Sequence, residues 1–240
     1  MELADYLETL NSRPWDKRAD VTLPDQLSTF FKQLAEITEQ KGLEHGTFLL
    51  LDRDTRTFGK GNVVSGYQDH MDIPRSDAPG NIGDVHGHPS KSVGHDGGYS
   101  AHSPEDLRHF GDFADRNSFV QFVAAGPMVY AMIYVYRESV WNEEVDAYLV
   151  DAATAMTDAN SAPLWEKAGG RDAFLDGRVW AQKADEDGGS EKYTANLRKQ
   201  VPDYGKIVEQ NSLDFCVRFA KTWGYQFLTW KRTDRGCVIL

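Results

Sequence analysis

Two apolar segments, residues 119–125 and 128–136, are separated only by Gly126 and Pro127. Each segment is long enough for one strand, and neither contains a charged side chain. Glycine and proline together favour a tight turn between two strands. The pattern therefore predicts a hairpin of buried strands in the core of the protein.

The residues before this hairpin alternate between helical and extended patterns. Apolar side chains recur every three or four positions over residues 24–41, which predicts a helix that ends at Gly42. Shorter apolar runs at 47–51, 58–67 and 82–86 predict strands. Helices and strands that alternate in this way indicate an α/β protein.

The pattern changes after about residue 138, where polar helices predominate. Helices are predicted at 141–158, 190–201 and 211–223, and a terminal strand pair at 227–230 and 237–240. The chain is thus divided into a lead-in, a candidate catalytic domain and an α-rich C-terminal extension, which are residues 1–24, 25–138 and 139–240. The last four residues also fit a prenylation motif at Cys237, but the strand pair is the simpler interpretation.

The charge balance and the cysteine count exclude several classes of protein. A net charge of −11 disfavours nucleic-acid binding, because the chain would repel phosphate backbones. Two cysteines, Cys216 and Cys237, fit neither a disulfide framework nor a four-cysteine zinc site. The acidic N-terminus does not resemble a signal peptide, and no apolar run is long enough for a membrane span. We therefore expect a cytoplasmic protein.

The strongest candidate for chemistry is the pair His86 and His88. If they lie at the end of a strand, the alternation of side chains puts both imidazoles on one face. A catalytic zinc usually takes three protein ligands and leaves the fourth position to water. Asp106, in the first turn of a helix that Ser103 and Pro104 would start, is the candidate third ligand. The alternative is a polar surface stretch without a metal.

Glu44 and Ser103 are the candidate catalytic residues. Hydrolysis at a metal needs a carboxylate that takes the proton of the water and passes it to the leaving group. Glu44 lies between the predicted helix and the first strand, where a glutamate by itself is usually a solvated turn residue. Ser103 is either the N-cap of the helix or a hydroxyl donor to the oxyanion.

Together, these residues resemble the JAMM (JAB/MPN+) family of zinc metalloproteases. The family pattern is a glutamate before a strand, then H-x-H-P, then S-x-x-D. This chain has Glu44, the string H-G-H-P at 86–89 and the string S-P-E-D at 103–106, in that order. The resemblance covers about residues 25–136.

The resemblance implies a curved β-sheet flanked by helices and a single Zn²⁺. His86, His88 and Asp106 would be the zinc ligands, Glu44 the acid and base, and Ser103 the oxyanion donor. The implied activity is that of a metallopeptidase or isopeptidase. It would hydrolyse a peptide or isopeptide bond, removing a ubiquitin-like protein from conjugates or trimming its C-terminus.

This chain departs from the family in the segment between the two motifs. Ser103 lies 15 positions after His88, and this step is commonly shorter in the family. The longer loop, residues 91–102, is expected to be mobile, and it either grips the substrate or alters access to the site. His95 and His102 in this loop are either additional metal ligands or solvated side chains.

Two other functions remain open alongside the peptidase. A non-proteolytic relative would be a scaffold or binding module, although such relatives usually lack metal ligands. A RadC-type protein also contains an H-x-H-P-S string, but the acidic charge argues against contact with DNA.

The extension contains five of the six tryptophans, which are Trp141, Trp165, Trp180, Trp223 and Trp230. Tryptophan buries a large area and also marks interfaces. We expect these rings to pack the extension onto the catalytic domain. The alternative is that some of them form a surface for a partner or substrate.

Overall fold

A computed structural model of the protein describes residues 1–10, 20–67, 71–73, 77–90, 99–112, 114, 118–136, 138–233 and 236–239. Within these residues the helices are α1 (Leu3–Thr9), α2 (Asp25–Lys41), α3 (Pro104–Gly111), α4 (Glu143–Ala168), α5 (Arg171–Ala184), α6 (Gly189–Arg198) and α7 (Tyr204–Trp223). The strands are β1 (His45–Asp52), β2 (Thr57–Lys60), β3 (Val64–Ser65), β4 (Asn81–Gly87), β5 (Val120–Ala125), β6 (Met128–Ile133), β7 (Gln226–Thr233) and β8 (Gly236–Ile239).

The strands form one mixed sheet in the order β2-β1-β4-β5-β6-β7-β8, and the short β3 also pairs with β1. β4 and β5 are parallel, and α3 lies in the connection between them. β5 and β6 form the hairpin that the sequence predicts, with Ala125 opposite Met128 across the turn. The prediction of an α/β fold, with helices in the C-terminal part, is confirmed.

One face of the sheet is covered by α2. Leu27, Phe31 and Leu34 are buried along this helix, and the ring centroids of Phe31 and Phe122 of β5 lie 5.1 Å apart. Gly42 ends the helix in the left-handed conformation, as expected, and the chain turns directly into β1. This tight connection places Glu44 beside the first residue of a buried strand.

The N-terminal lead-in belongs to the same core. Leu3, Tyr6 and Leu7 of α1 are buried in the cluster that contains α2. The indole of Trp230 in β7 is fully buried, and its Nε1 donates a hydrogen bond to the carbonyl of Val21 at 2.7 Å. The two ends of the chain are therefore packed together.

The opposite face of the sheet is covered by α3, α4 and α7. Their buried side chains, among them Leu107, Leu149 and Phe219, pack against Val123 and Tyr130 of the hairpin. The extension thus supplies two of the three helices on this face and the strand β7, which pairs with β6 over six residues. The domain boundary near residue 138 stays a prediction.

The far end of α4 forms a small third cluster with α5, α6 and α7. The sequence analysis did not predict α5, in which Phe174 is the one buried side chain. Trp230 is fully buried, whereas Trp180 is 70% exposed and the other three tryptophans of the extension are partly buried. Packing therefore accounts for Trp230 and leaves Trp180 unexplained.

None of the helices in the described part of the chain is both long enough and apolar enough to cross a membrane.

Candidate metal centre

β4 places Asp84, His86 and His88 on one side of the sheet. Val85 and Gly87 alternate with them and face α2, where a Cβ on Gly87 would overlap the hydroxyl of Thr38. The parallel pairing with β5 continues to Gly87, so the backbone under both histidines is held by a central strand. The predicted convergence of the two imidazoles is present: their Nε2 atoms lie 3.0 Å apart.

Asp106 reaches this pair from the first turn of α3. The Ser103 hydroxyl accepts a hydrogen bond from the Asp106 amide at 3.0 Å, and Oδ2 of Asp106 accepts one from the Ser103 amide at 2.7 Å. This reciprocal capping box, with Pro104 at the helix start, fixes the orientation of the carboxylate. The N-cap interpretation of Ser103 is therefore confirmed. Its role as an oxyanion donor stays a prediction. The hydroxyl accepts a hydrogen bond in the cap, and its O–H can still donate one.

The donor atoms of the three predicted ligands lie close together. Nε2 of His86 lies 3.4 Å from Oδ1 of Asp106, and Nε2 of His88 lies 3.3 Å from Oδ2. In a tetrahedral zinc site with bonds of about 2.0–2.1 Å, neighbouring donor atoms lie about 3.3 Å apart. The distance between the two imidazole nitrogens is close to that length, and each nitrogen lies at a similar distance from one oxygen of Asp106, His86 from Oδ1 and His88 from Oδ2. The two imidazoles and the carboxylate are therefore close enough together to hold a small cation.

Glu44 completes the cluster from the start of β1. It is 5% exposed, and its Oε1 lies 4.0 Å from Nε2 of His88. Its backbone is held by hydrogen bonds with Tyr67 and Gly66, so the side chain projects from a fixed point. Buried Glu44, His86 and His88 have ligand atoms within 4.8 Å of one another, which is close enough to hold a metal ion.

The electrostatics of the cluster also favour a cation. Burial opposes protonation of His86, but the carboxylate of Asp106, aided by Asp84 and Glu44, outweighs burial and holds the pKa of His86 well above its usual value. Burial opposes ionisation of Asp106, yet the two imidazoles hold its pKa well below its usual value. A divalent ion between the imidazoles would offset the negative charge of Asp106 and would lie close to the carboxylate of Glu44.

The second nitrogen of each histidine faces a fixed acceptor. Nδ1 of His88 lies 3.2 Å from the carbonyl of Ser100 and 3.4 Å from the Ser100 hydroxyl. Because a carbonyl only accepts, the shorter contact places the hydrogen on Nδ1. The lone pair of Nε2 is then available to a metal. Nδ1 of His86 lies 3.9 Å from Oδ1 of Asp84. Contacts of this kind set the tautomer and orientation of histidine ligands.

Three residues around the site, Asp84, Ser100 and Glu39, were not found from the sequence. The carboxylate of Glu39 on α2 accepts hydrogen bonds from the amide of Ser90 at 2.8 Å and from its hydroxyl at 2.5 Å. It thereby holds the chain directly after His88. The alternation of β4 was a usable signal for Asp84, but no local pattern points to Glu39 or Ser100.

The segment expected to form a mobile loop, residues 91–102, ends in a buried stretch. Residues 91–98, with His95, lie outside the described residues. His102 is fully buried and its Nε2 lies 3.1 Å from the carbonyl of Gln121. Burial lowers the pKa of His102 to about 3, so this side chain stays neutral. The expectation of a solvated His102 is therefore wrong, and its Nε2 faces the backbone of β5.

A cleft of about 950 Å³ opens beside Asp84, two positions before the first histidine. Its walls include Phe48 and Leu50 of β1 and His109 and Phe110 of α3. None of Glu44, His86, His88 and Asp106 lines this cleft, so Asp84 is its link to the metal centre.

No protein-family model matches the chain, and no curated protein matches it significantly. The resemblance to JAMM metalloproteases therefore rests on the residues of the site themselves.

Proposed function

We propose that this protein is a zinc-dependent hydrolase of the JAMM type that cleaves a peptide or isopeptide bond. The observation that carries the proposal is the cluster of the His86 and His88 imidazoles with the carboxylate of Asp106, and the buried carboxylate of Glu44 lies beside it. Two imidazoles and one carboxylate are a ligand set that catalytic zinc sites use, with the fourth position left to water.

His86, His88 and Asp106 would hold the ion, and Glu44 would not be a ligand. When bound, zinc would lower the pKa of a water molecule to about 7 and polarise the carbonyl of the scissile bond. The charge of the cluster supports a divalent ion, since the carboxylates of Asp106 and of the buried Glu44 both lie beside the imidazoles.

Glu44 would act as the proton carrier. Its Oε1 accepts a proton from the attacking water and then donates this proton to the nitrogen of the leaving amine. Burial at 5% exposure keeps bulk water from competing for the carboxylate. A side chain in this role contributes about 10²–10⁴-fold to the rate. Ser103 would donate its O–H to the carbonyl oxygen as negative charge develops there.

The cleft beside Asp84 would bind the substrate in extended form. Phe48, Leu50 and Phe110 offer apolar contacts, and Asp77 and Asp84 line the same walls. An extended tail with apolar and basic side chains suits this lining. We propose that the tail belongs to a ubiquitin-like protein or to a peptide substrate.

The test compares the zinc-loaded wild type with Glu44→Gln on peptide- and isopeptide-linked ubiquitin-like conjugates. We expect the wild type to cleave a member of this panel, and Glu44→Gln to keep its zinc and lose about 10²–10⁴-fold in rate. Glu36→Gln is the matched control, because Glu36 lies on the exposed face of α2, where it pairs with Lys32 at 3.8 Å.

Near-normal turnover by Glu44→Gln would assign the proton transfer to another group. A wild type that binds zinc and the conjugates but cleaves none of them would favour the scaffold or binding module.

A further inference from the structure

Residues 99–102 connect the metal centre to the C-terminal extension. Ser100, Ala101 and His102 are buried, with exposures of 2%, 1% and 0%. The carbonyl of Ser100 is the acceptor for Nδ1 of His88, and the next residue after His102 is Ser103, the N-cap that holds Asp106. The position of this segment therefore affects two of the three proposed ligands.

One face of α7 holds the backbone of this segment. Glu209, Ser212 and Cys216 are spaced by three and four residues, so they lie on the same side of the helix. The carboxylate of Glu209 accepts a hydrogen bond from the Tyr99 amide. The hydroxyl of Ser212 accepts one from the Ala101 amide at 3.0 Å.

A third contact from α7 and two contacts from the sheet also hold residues 99–102. The thiol of Cys216 donates to the carbonyl of His102 at 3.4 Å. From the sheet, the hydroxyl of Tyr130 donates to the carbonyl of Tyr99 at 2.8 Å, and Nε2 of His102 donates to Gln121 at 3.1 Å. The backbone is thus held from both sides, and the carbonyl of Ser100 has a fixed position relative to His88.

We propose that α7 is a positioning element of the metal centre, and that Ser212 sets the metal affinity through residues 99–102. The inference rests on the proposed zinc site and adds a role for the extension in that site. Without the hydroxyl of Ser212, the buried amide of Ala101 has no acceptor and the segment shifts towards another one. The carbonyl of Ser100 then moves away from Nδ1, and His88 loses the contact that orients its ring.

The alternative is that Ser212 only stabilises the fold. Val208, four residues earlier on α7, is a matched control, because it is buried in a different cluster with Leu164 and Phe174. Val208→Ala destabilises the same helix without touching residues 99–102. A positioning role and a purely structural role therefore predict different metal affinities for Ser212→Ala and Val208→Ala.

The experiment measures binding of Zn²⁺ and of Co²⁺ to the full chain in metal-buffered titrations. We expect Ser212→Ala to bind Zn²⁺ about 10–100-fold more weakly than the wild type, as other outer contacts of ligand histidines do. The visible absorption of the Co²⁺ form, which reports ligand geometry, should change with it. Val208→Ala should retain the Zn²⁺ affinity of the wild type within about twofold, even where its melting temperature falls as far as that of Ser212→Ala.

Glu209→Ala is a second variant in case Ser212→Ala does not fold. Glu209 is partly exposed, and its loss removes the acceptor of the Tyr99 amide alone. We expect a smaller loss of affinity in the same direction. Wild-type affinity and an unchanged Co²⁺ spectrum in a folded Ser212→Ala or Glu209→Ala chain would overturn the positioning role, as would equal losses in Val208→Ala. A wild type that binds neither ion would overturn the zinc site itself.

Discussion

Asp106 has two roles that can be separated by substitution: it caps α3 and, in the proposed site, it binds zinc. In Asp106→Asn, the amide oxygen can still accept the hydrogen bond from the Ser103 amide, so most of the cap is kept. The negative charge between the two histidines is lost. In Ser103→Ala the cap hydroxyl is lost and the carboxylate of Asp106 remains.

The expected magnitudes follow from these two contacts. Loss of an N-cap hydroxyl costs about 1 kcal/mol, which lowers Tm by about 2–4 °C in a chain of this size. Free zinc at about 1,000 times its Kd stabilises the folded state by about 4.1 kcal/mol, or roughly 8–16 °C. We expect the wild type to show this full zinc-induced shift, Ser103→Ala to keep the larger part of it because the carboxylate remains, and Asp106→Asn to lose most of it.

The assay is thermal unfolding of each chain in a zinc buffer and in a chelator. The chelator series isolates the contribution of the cap, and the difference between the two series isolates the metal. A full zinc-induced shift in Asp106→Asn would refute the assignment of Asp106 as a ligand. An equal loss of the zinc-induced shift in Ser103→Ala would mean that zinc binding depends on the capped start of α3 and not on the carboxylate of Asp106.

Two further predictions concern pH and the extension. Below its usual pKa of 6.5, His86 contributes its full stabilisation to the zinc-free protein. This stabilisation is lost as the pH rises through the raised pKa of His86. Asp106 contributes its stabilisation above its usual pKa of 3.8, and loses it as the pH falls through its lowered pKa. The Tm of the zinc-free chain should therefore fall as pH rises from 6.5. Zinc affinity should rise over the same range, because the metal displaces the proton of His86. A Tm that increases over this range would contradict the raised pKa of His86. Truncation after residue 138 should give an insoluble or unfolded product, because β6 loses its six-residue pairing with β7 and the buried ring of Trp230 is removed. The fragment would be examined by circular dichroism and gel filtration. A soluble, folded fragment would contradict this prediction.

The elements with strong local patterns could be predicted from the sequence. The hairpin of β5 and β6 has two uncharged apolar runs and a Gly-Pro turn, and α2 has a continuous apolar stripe that ends at Gly42. The convergence of His86 and His88 followed from the alternation of side chains along a strand. The capping function of Ser103 also followed from its position before Pro104.

The contacts that support the site could not be predicted, because they join distant parts of the chain. Ser90 is held by Glu39, which lies 51 positions away, and Ala101 by Ser212, which lies 111 positions away. Residues 99–102 have the small and polar composition of a loop, and their burial depends on α7, which the local sequence does not reveal. Local periodicity specifies elements, whereas these contacts depend on how the elements pack.

The measurement that tests the central claim most directly is the zinc content of the purified full-length chain. After reconstitution with Zn²⁺ and removal of the excess by gel filtration, elemental analysis should give about one zinc per chain, as a site with three protein ligands requires. The double variant His86→Ala/His88→Ala, treated in the same way, should retain none. A well-folded wild type that remains free of zinc after reconstitution would contradict the assignment of this cluster as a zinc centre.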